Sequence, residues 1–140
     1  VGGERTLPIY IGTVEATAIA YAIQQIETPR PMTHDLLIHV IDSLGGRVER
    51  IAITDLDGDT FFANVEIAHD GKTIAVSSRP SDAIAIAVRV GVPIFVEDAL
   101  LDTEGIIIDE DEIAGDNADE VVEQFREFIN EVKPEDFGNG

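Results

Sequence analysis

The sequence predicts an α+β domain in which a mixed sheet with an antiparallel meander carries helices packed mainly on one face. Three observations lead there. The β-type runs Val48–Thr54, Thr60–Ala68 and Thr73–Ser78 follow one another across Asp57-Gly58 and Asp70-Gly71, and aspartate-glycine between alternating runs is a strong hairpin signal. Stretches before and after the meander repeat apolar residues at helical spacing. At 140 residues and 44% hydrophobic, the chain is long enough to bury a core without cross-links.

Taken in order, Leu7–Ile11 reads as a strand. Thr13 is the expected N-cap of a helix over residues 14–26, with Glu15 in its first turn and Ile19, Ala22, Ile23 and Ile26 on one side. Thr28-Pro29-Arg30-Pro31 stops it. Thr33 caps a second helix over 33–44, in which Leu36, Leu37, Val40, Ile41 and Leu44 recur at helical spacing before Gly45-Gly46. After the meander comes a helix over Ser81–Val90, capped by Ser81 and closed by Gly91 and Pro93, then a short strand over Pro93–Val96. This gives a main domain over residues 1–108. Residues 109–116, opening on four consecutive acids, read as a solvated linker, and 117–140 as an amphipathic helix with a tail. That helix opens on Asn117 and Glu120 and lines up Val121, Val122, Phe125, Phe128, Ile129 and Val132.

Charge and composition bound the function. There is no cysteine, which excludes disulfides and thiolate zinc sites and suits a cytoplasmic setting. No apolar run approaches the ~18 residues of a membrane span. The chain opens on Val1 and enters almost at once into a strand-like run, so an upstream segment is expected. The formal net charge is −19, of which residues 97–140 hold −14. Such acidity opposes polyanion binding, which depends on lysine and arginine, but it is mainly a C-terminal property. The helix around Ala83–Val88 is apolar on all sides, and the expected remedy is a homo-oligomer, a dimer foremost.

Most chemical motifs are missing or have a structural explanation. Asp55, Asp57, Asp59 and Glu66 imitate a calcium loop, but Thr60 stands where that loop needs glycine, which leaves a hairpin turn. His39 and His69 stand alone. No nucleophile elbow, zinc helix, P-loop or dinucleotide fingerprint occurs, so no organic cofactor is expected. Two arginines are different. Arg79 precedes Pro80, which restricts the residue before it to extended backbone beside a helix start, and Arg30 lies in the equally proline-fixed PRPMTHD ahead of another helix. Each has an aspartate close by, Asp82 and Asp35. Brought together, they would suit a phosphate.

The runs LPIYIGTVEATAIA, RPMTHDLL, GDTFFANVEI, SSRPSDAIAIAVRVGVPIFVED and VKPEDF, in that order, resemble the bifunctional nuclease family from about Leu7 to Phe137. The resemblance implies an α+β fold and phosphodiester hydrolysis of DNA, RNA or both. On that implication, Arg79 and Arg30 would engage the phosphate with Ser81 beside them. Asp82 and Asp35 would position water or a metal, Mg2+ or Mn2+, and His34 would move a proton. Ser77-Ser78 departs from the acidic form common in the family, which removes one potential metal-binding carboxylate. A non-catalytic module that binds an anionic ligand through the same residues is the competing reading.

Overall fold

Residues 5–107 are described by the computed structural model; the expected linker at 109–116 and helix within 117–140 lie outside the described residues. Strand β1 (Arg5–Thr6) leads to helices α1 (Thr13–Ile23) and α2 (Thr33–Ser43), followed by β2 (Arg47–Asp57), β3 (Thr60–His69) and β4 (Lys72–Ser78). Helix α3 (Pro80–Val90), β5 (Ile94–Val96), α4 (Asp98–Glu104) and β6 (Ile106–Ile107) complete the order. The main sheet runs β4-β3-β2-β5, with the meander antiparallel and β5 parallel to β2, while β1 and β6 pair separately. The chain is thus α+β with a mixed sheet.

One of the two turns is formed by its aspartate-glycine pair. At the β3–β4 hairpin Asp70 (φ 50°) and Gly71 (φ 73°) are both left-handed, the two-residue turn whose twist matches the strands it joins. The hairpin joining Asp57 to Thr60 is equally tight, but Asp57 pairs with Thr60 in the ladder and the turn residues are Gly58 (φ 61°) and Asp59. One face of the meander is buried: Ile51, Ile53, Ala63 and Val65 meet Ala83, Ile86 and Ala87 of α3 and Leu100 of α4. Helix α3 crosses β2 and β3, α2 lies beside it, and α1 packs chiefly on α3 rather than on the sheet. Among the described residues no helix is long and apolar enough to cross a membrane.

Several boundaries differ from expectation, each for a physical reason. Leu7–Ile11 belongs to no sheet. Its alternation reflects one-sided burial of Leu7 and Ile9, and Pro8 has no N–H to offer a ladder. Helix α1 stops at Ile23 because Gln25 adopts φ 54°. Ile26 then donates to the Tyr21 carbonyl and Gln25 to that of Ala22, a Schellman ending in which Ile26 packs on Tyr21 beyond the helix. The N-caps are Gly12, Met32 and Arg79, not Thr13, Thr33 and Ser81. Helix α2 packs through Ile38 and Ile41, leaving Leu36, Leu37, Val40 and Leu44 exposed. Helices do not need a second copy to bury Ala83, Ala85, Ile86 and Ala87, since the chain itself leaves them 0–1% exposed. The dimer expectation loses that support.

Candidate functional site

The site is assembled from three helix starts. Pro80 is the first residue of α3, where its missing N–H is no loss, and it fixes Arg79 as the N-cap at φ −69°, ψ 146°. From there the guanidinium folds back on the first turn: Nε donates to Asp82 Oδ2 at 2.8 Å and Nη2 to Oδ1 at 3.2 Å, while Nη1 reaches Glu15 Oε1 of α1 at 3.2 Å. Helix α2 contributes His34, whose Nε2 lies 2.9 Å from Asp82 Oδ1. A cavity of about 230 Å³ opens beside this cluster, bounded by Val14, Tyr21, Met32 and Arg89 in addition to the charged groups.

Burial divides these side chains by task. His34 is 14% exposed and Asp82 31%, whereas Arg79 is 63% exposed. Its partners are side-chain carboxylates rather than its own backbone, so the group can exchange partners. The Arg79 hydrogen bonds hold the Asp82 carboxyl below the ordinary carboxylate range; burial opposes that shift and His34 adds to it. Asp82 in turn raises the Arg79 guanidinium further, with Glu15 contributing. Asp82 is therefore an ionised acceptor shared between an imidazole and a guanidinium.

Asp35 is placed differently. Its Oδ2 accepts the Met32 N–H at 3.0 Å, and its Oδ1 accepts from Arg89 Nε at 2.8 Å. Arg89 also donates Nη1 to the Ala85 carbonyl at 2.9 Å. The pair ties the start of α2, and with it His34, to the last turn of α3. Arg30 does not line the cavity; its carbonyl accepts from Thr28 Oγ1 at 2.6 Å, which shapes the proline turn. Ser81, buried at 7% exposure, lines a neighbouring groove with Arg79.

The fold therefore brings together His34, Arg79 and Asp82 of the residues singled out in the sequence, with Asp35 next to them, but not Arg30. Sequence reasoning missed Glu15 as a partner of Arg79, and missed Arg89. A signal for Arg89 was present: it stands seven residues after Asp82, two turns on along the same helix face. As to a metal, Asp82 is paired with Arg79 and Asp35 with Arg89, and no three ligating side chains cluster among the described residues. A cation at either carboxylate would displace a guanidinium, so the residues present do not form a ready Mg2+ or Mn2+ site.

A family description for the bifunctional nuclease domain matches residues 1–109. The class is a nuclease-type domain. Plant relatives match part of the chain: "Bifunctional nuclease 1" of Oryza sativa subsp. indica is 29% identical over 108 residues, covering 75% of this chain and 33% of the relative. "Bifunctional nuclease 2" of Oryza sativa subsp. japonica is 32% identical over 108 residues, again 33% of the relative. An uncharacterised protein of Mycobacterium tuberculosis strain H37Rv is 47% identical over 139 residues, covering 96% of this chain and 82% of the relative. This chain belongs to the bifunctional nuclease family.

Proposed function

We propose that the chain hydrolyses phosphodiester bonds of DNA, RNA or both at the Arg79–Asp82–His34 cluster. The supporting observation is the position of this cluster, an exposed guanidinium beside an imidazole that a carboxylate orients, on a cavity of a nuclease-family domain. With Nε2–H donating to Asp82, His34 keeps a lone pair on Nδ1 for the proton of an attacking water. The water oxygen forms the new P–O bond, the opposite P–O bond breaks, and the leaving oxygen takes a proton from the imidazolium or from solvent. Arg79 supplies positive charge to the phosphoryl oxygens, where charge grows in the transition state. Asp35 acts through Arg89 and the start of α2, as a positioning residue. Ser81 lies close enough to Arg79 to assist in binding, and Arg30 is left to more distant parts of a polymer.

The test is hydrolysis of labelled DNA and RNA by the purified chain with chelator, Mg2+ or Mn2+, beside the Arg79→Ala and His34→Gln variants. Cleavage that both substitutions lower by at least about 100-fold, the scale of one general base or one charge-stabilising group, supports the proposal. Cleavage that survives both refutes the assigned residues. Absence of cleavage under every metal condition, with phosphate-bearing ligands still bound through Arg79, favours the non-catalytic module. The metal arm decides whether a divalent cation takes part.

A further inference from the structure

Tyr10 lies between β1 and α1 and is 98% exposed, so its ring adds nothing to the core. It lines a groove whose other walls include Ile11, Phe61 and Thr60, with Arg79 and Ser81 at one side. Arg79 and Glu15 line both this groove and the cavity of His34. The guanidinium therefore stands at the passage from the candidate catalytic cluster to the Tyr10 groove.

Charge selects what can lie there. Among the described residues Arg79 is the one cation lining the groove, which also carries the carboxylates of Glu15 and Asp59. A double helix keeps its base faces covered and presents phosphates, so its affinity depends on many cationic contacts. This surface offers one. A single strand also presents base faces, which stack on aromatic rings with little regard to sequence. We infer that the groove is a base-stacking subsite: the nucleotide next to the phosphate on Arg79 lays its base on Tyr10, with Phe61 as the floor, and the protein selects single-stranded nucleic acid. The inference rests on the nuclease reading for its choice of a nucleic acid, but it concerns binding and not cleavage.

The experiment is fluorescence anisotropy of a short labelled single strand with the full chain and its Tyr10→Phe and Tyr10→Ala variants, between about 50 and 200 mM salt. Circular dichroism confirms that each variant is folded. Tyr10→Phe is expected to bind like the parent, and Tyr10→Ala about 5- to 150-fold more weakly, the range for one stacked base. The slope of log affinity against log salt should be shallow, about −0.7 for one phosphate on a single strand, and the same in Tyr10→Ala. A duplex of equal sequence should bind more weakly and ignore Tyr10. Tyrosine emission gives an independent reading, because of the two tyrosines Tyr21 is only 4% exposed, leaving Tyr10 as the ring a stacked base can quench. Equal affinity of parent and Tyr10→Ala, no binding of the strand, or equal losses in Tyr10→Phe and Tyr10→Ala each overturn the inference. Tyr10-dependent binding without cleavage overturns the nuclease reading and leaves the subsite standing; Tyr10-independent binding with Arg79-dependent cleavage does the reverse.

Discussion

Replacing Arg89 by methionine tests the tie that holds α2 against α3, and with it the position of His34. Methionine keeps most of the apolar stem but removes the bonds to Asp35 at 2.8 Å and to the Ala85 carbonyl at 2.9 Å. Were both charges fully buried, removing one would cost about 3–5 kcal/mol. Arg89 is 10% exposed but Asp35 is 34% exposed, so water can resolvate the abandoned carboxylate, and a loss of about 1.5–3 kcal/mol is expected, the range for hydrogen bonds to charged groups. Asp35→Asn keeps an oxygen for the Met32 N–H but turns an NH2 donor toward Arg89 Nε, so both the charge and the acceptor for Arg89 go, and about 1.5–3 kcal/mol should be lost. The double variant should lose less than the sum by about 1 kcal/mol, because the second substitution has no partner left to strand. Urea unfolding of the four proteins measures each term, and the melting temperature should move by about 3–5 °C per kcal/mol in a domain of this size. Additivity within about 0.3 kcal/mol would show that the two side chains do not act on each other and would refute the tie.

Three further outcomes are expected. Ile86→Ala, at a site 1% exposed beneath the meander, should cost about 2–5 kcal/mol in urea unfolding; a loss below about 1 kcal/mol would show that the interface of α3 with the sheet is not the main core. Asp82→Asn should reduce stability at neutral pH but not in acid. The folded-state carboxyl is held low by Arg79, so its stabilisation is present above the unfolded pKa near 3.9 and vanishes as pH falls through the lower folded value. Thermal melts from pH 7 to 3 should therefore show the parent and the variant converging below about pH 4, and a constant gap would contradict the assignment. Glu15→Gln should tighten binding of a labelled single strand at low salt, since Glu15 holds Arg79 by one bond at 3.2 Å where Asp82 holds it by two; unchanged affinity would mean that the substrate does not compete with Glu15.

How far the sequence could be read depended on whether the signal was local. The meander was legible because Asp70-Gly71 fixes a turn within two residues and the alternation of Ala63, Val65 and Ile67 names the buried face. Residues such as Arg79, boxed in by Pro80, also stood out locally. Partners set by tertiary packing did not: nothing near Glu15 points to an arginine 64 positions away. Leu7–Ile11 misled because one-sided burial produces the same alternation as strand pairing. Helix α4 was missed because seven residues, DALLDTE, are too few for periodicity to emerge. The apolar character of Ala83–Val88 was read correctly as a surface needing cover, but composition cannot say whether the cover is the same chain.

The helix starts show most directly how sequence becomes site. The sequence placed caps at Thr13, Thr33 and Ser81; the structure places them one or two residues earlier, so that Glu15, Asp35 and Asp82 each become the third residue of their helix. An acid there faces the positive end of the helix dipole and steadies the first turn. Asp35 accepts from the backbone N–H of its own cap, Met32, whereas Asp82 accepts from the side chain of its cap, Arg79. Asp82 and Glu15 turn instead to Arg79, and so both complement a helix start and compensate the one exposed cation between them. This makes the cluster self-contained without a ligand and gives an incoming phosphate a definite competitor. The anion must take over a guanidinium contact from a carboxylate, and Glu15, on a separate helix and held by a single bond, is the group that can yield while Asp82 continues to orient His34. On the proposed function, the acidity beside Arg79 is compatible with a nucleic-acid substrate: it holds the guanidinium beside the cavity, and a bound phosphate would replace Glu15 while Asp82 keeps its two bonds.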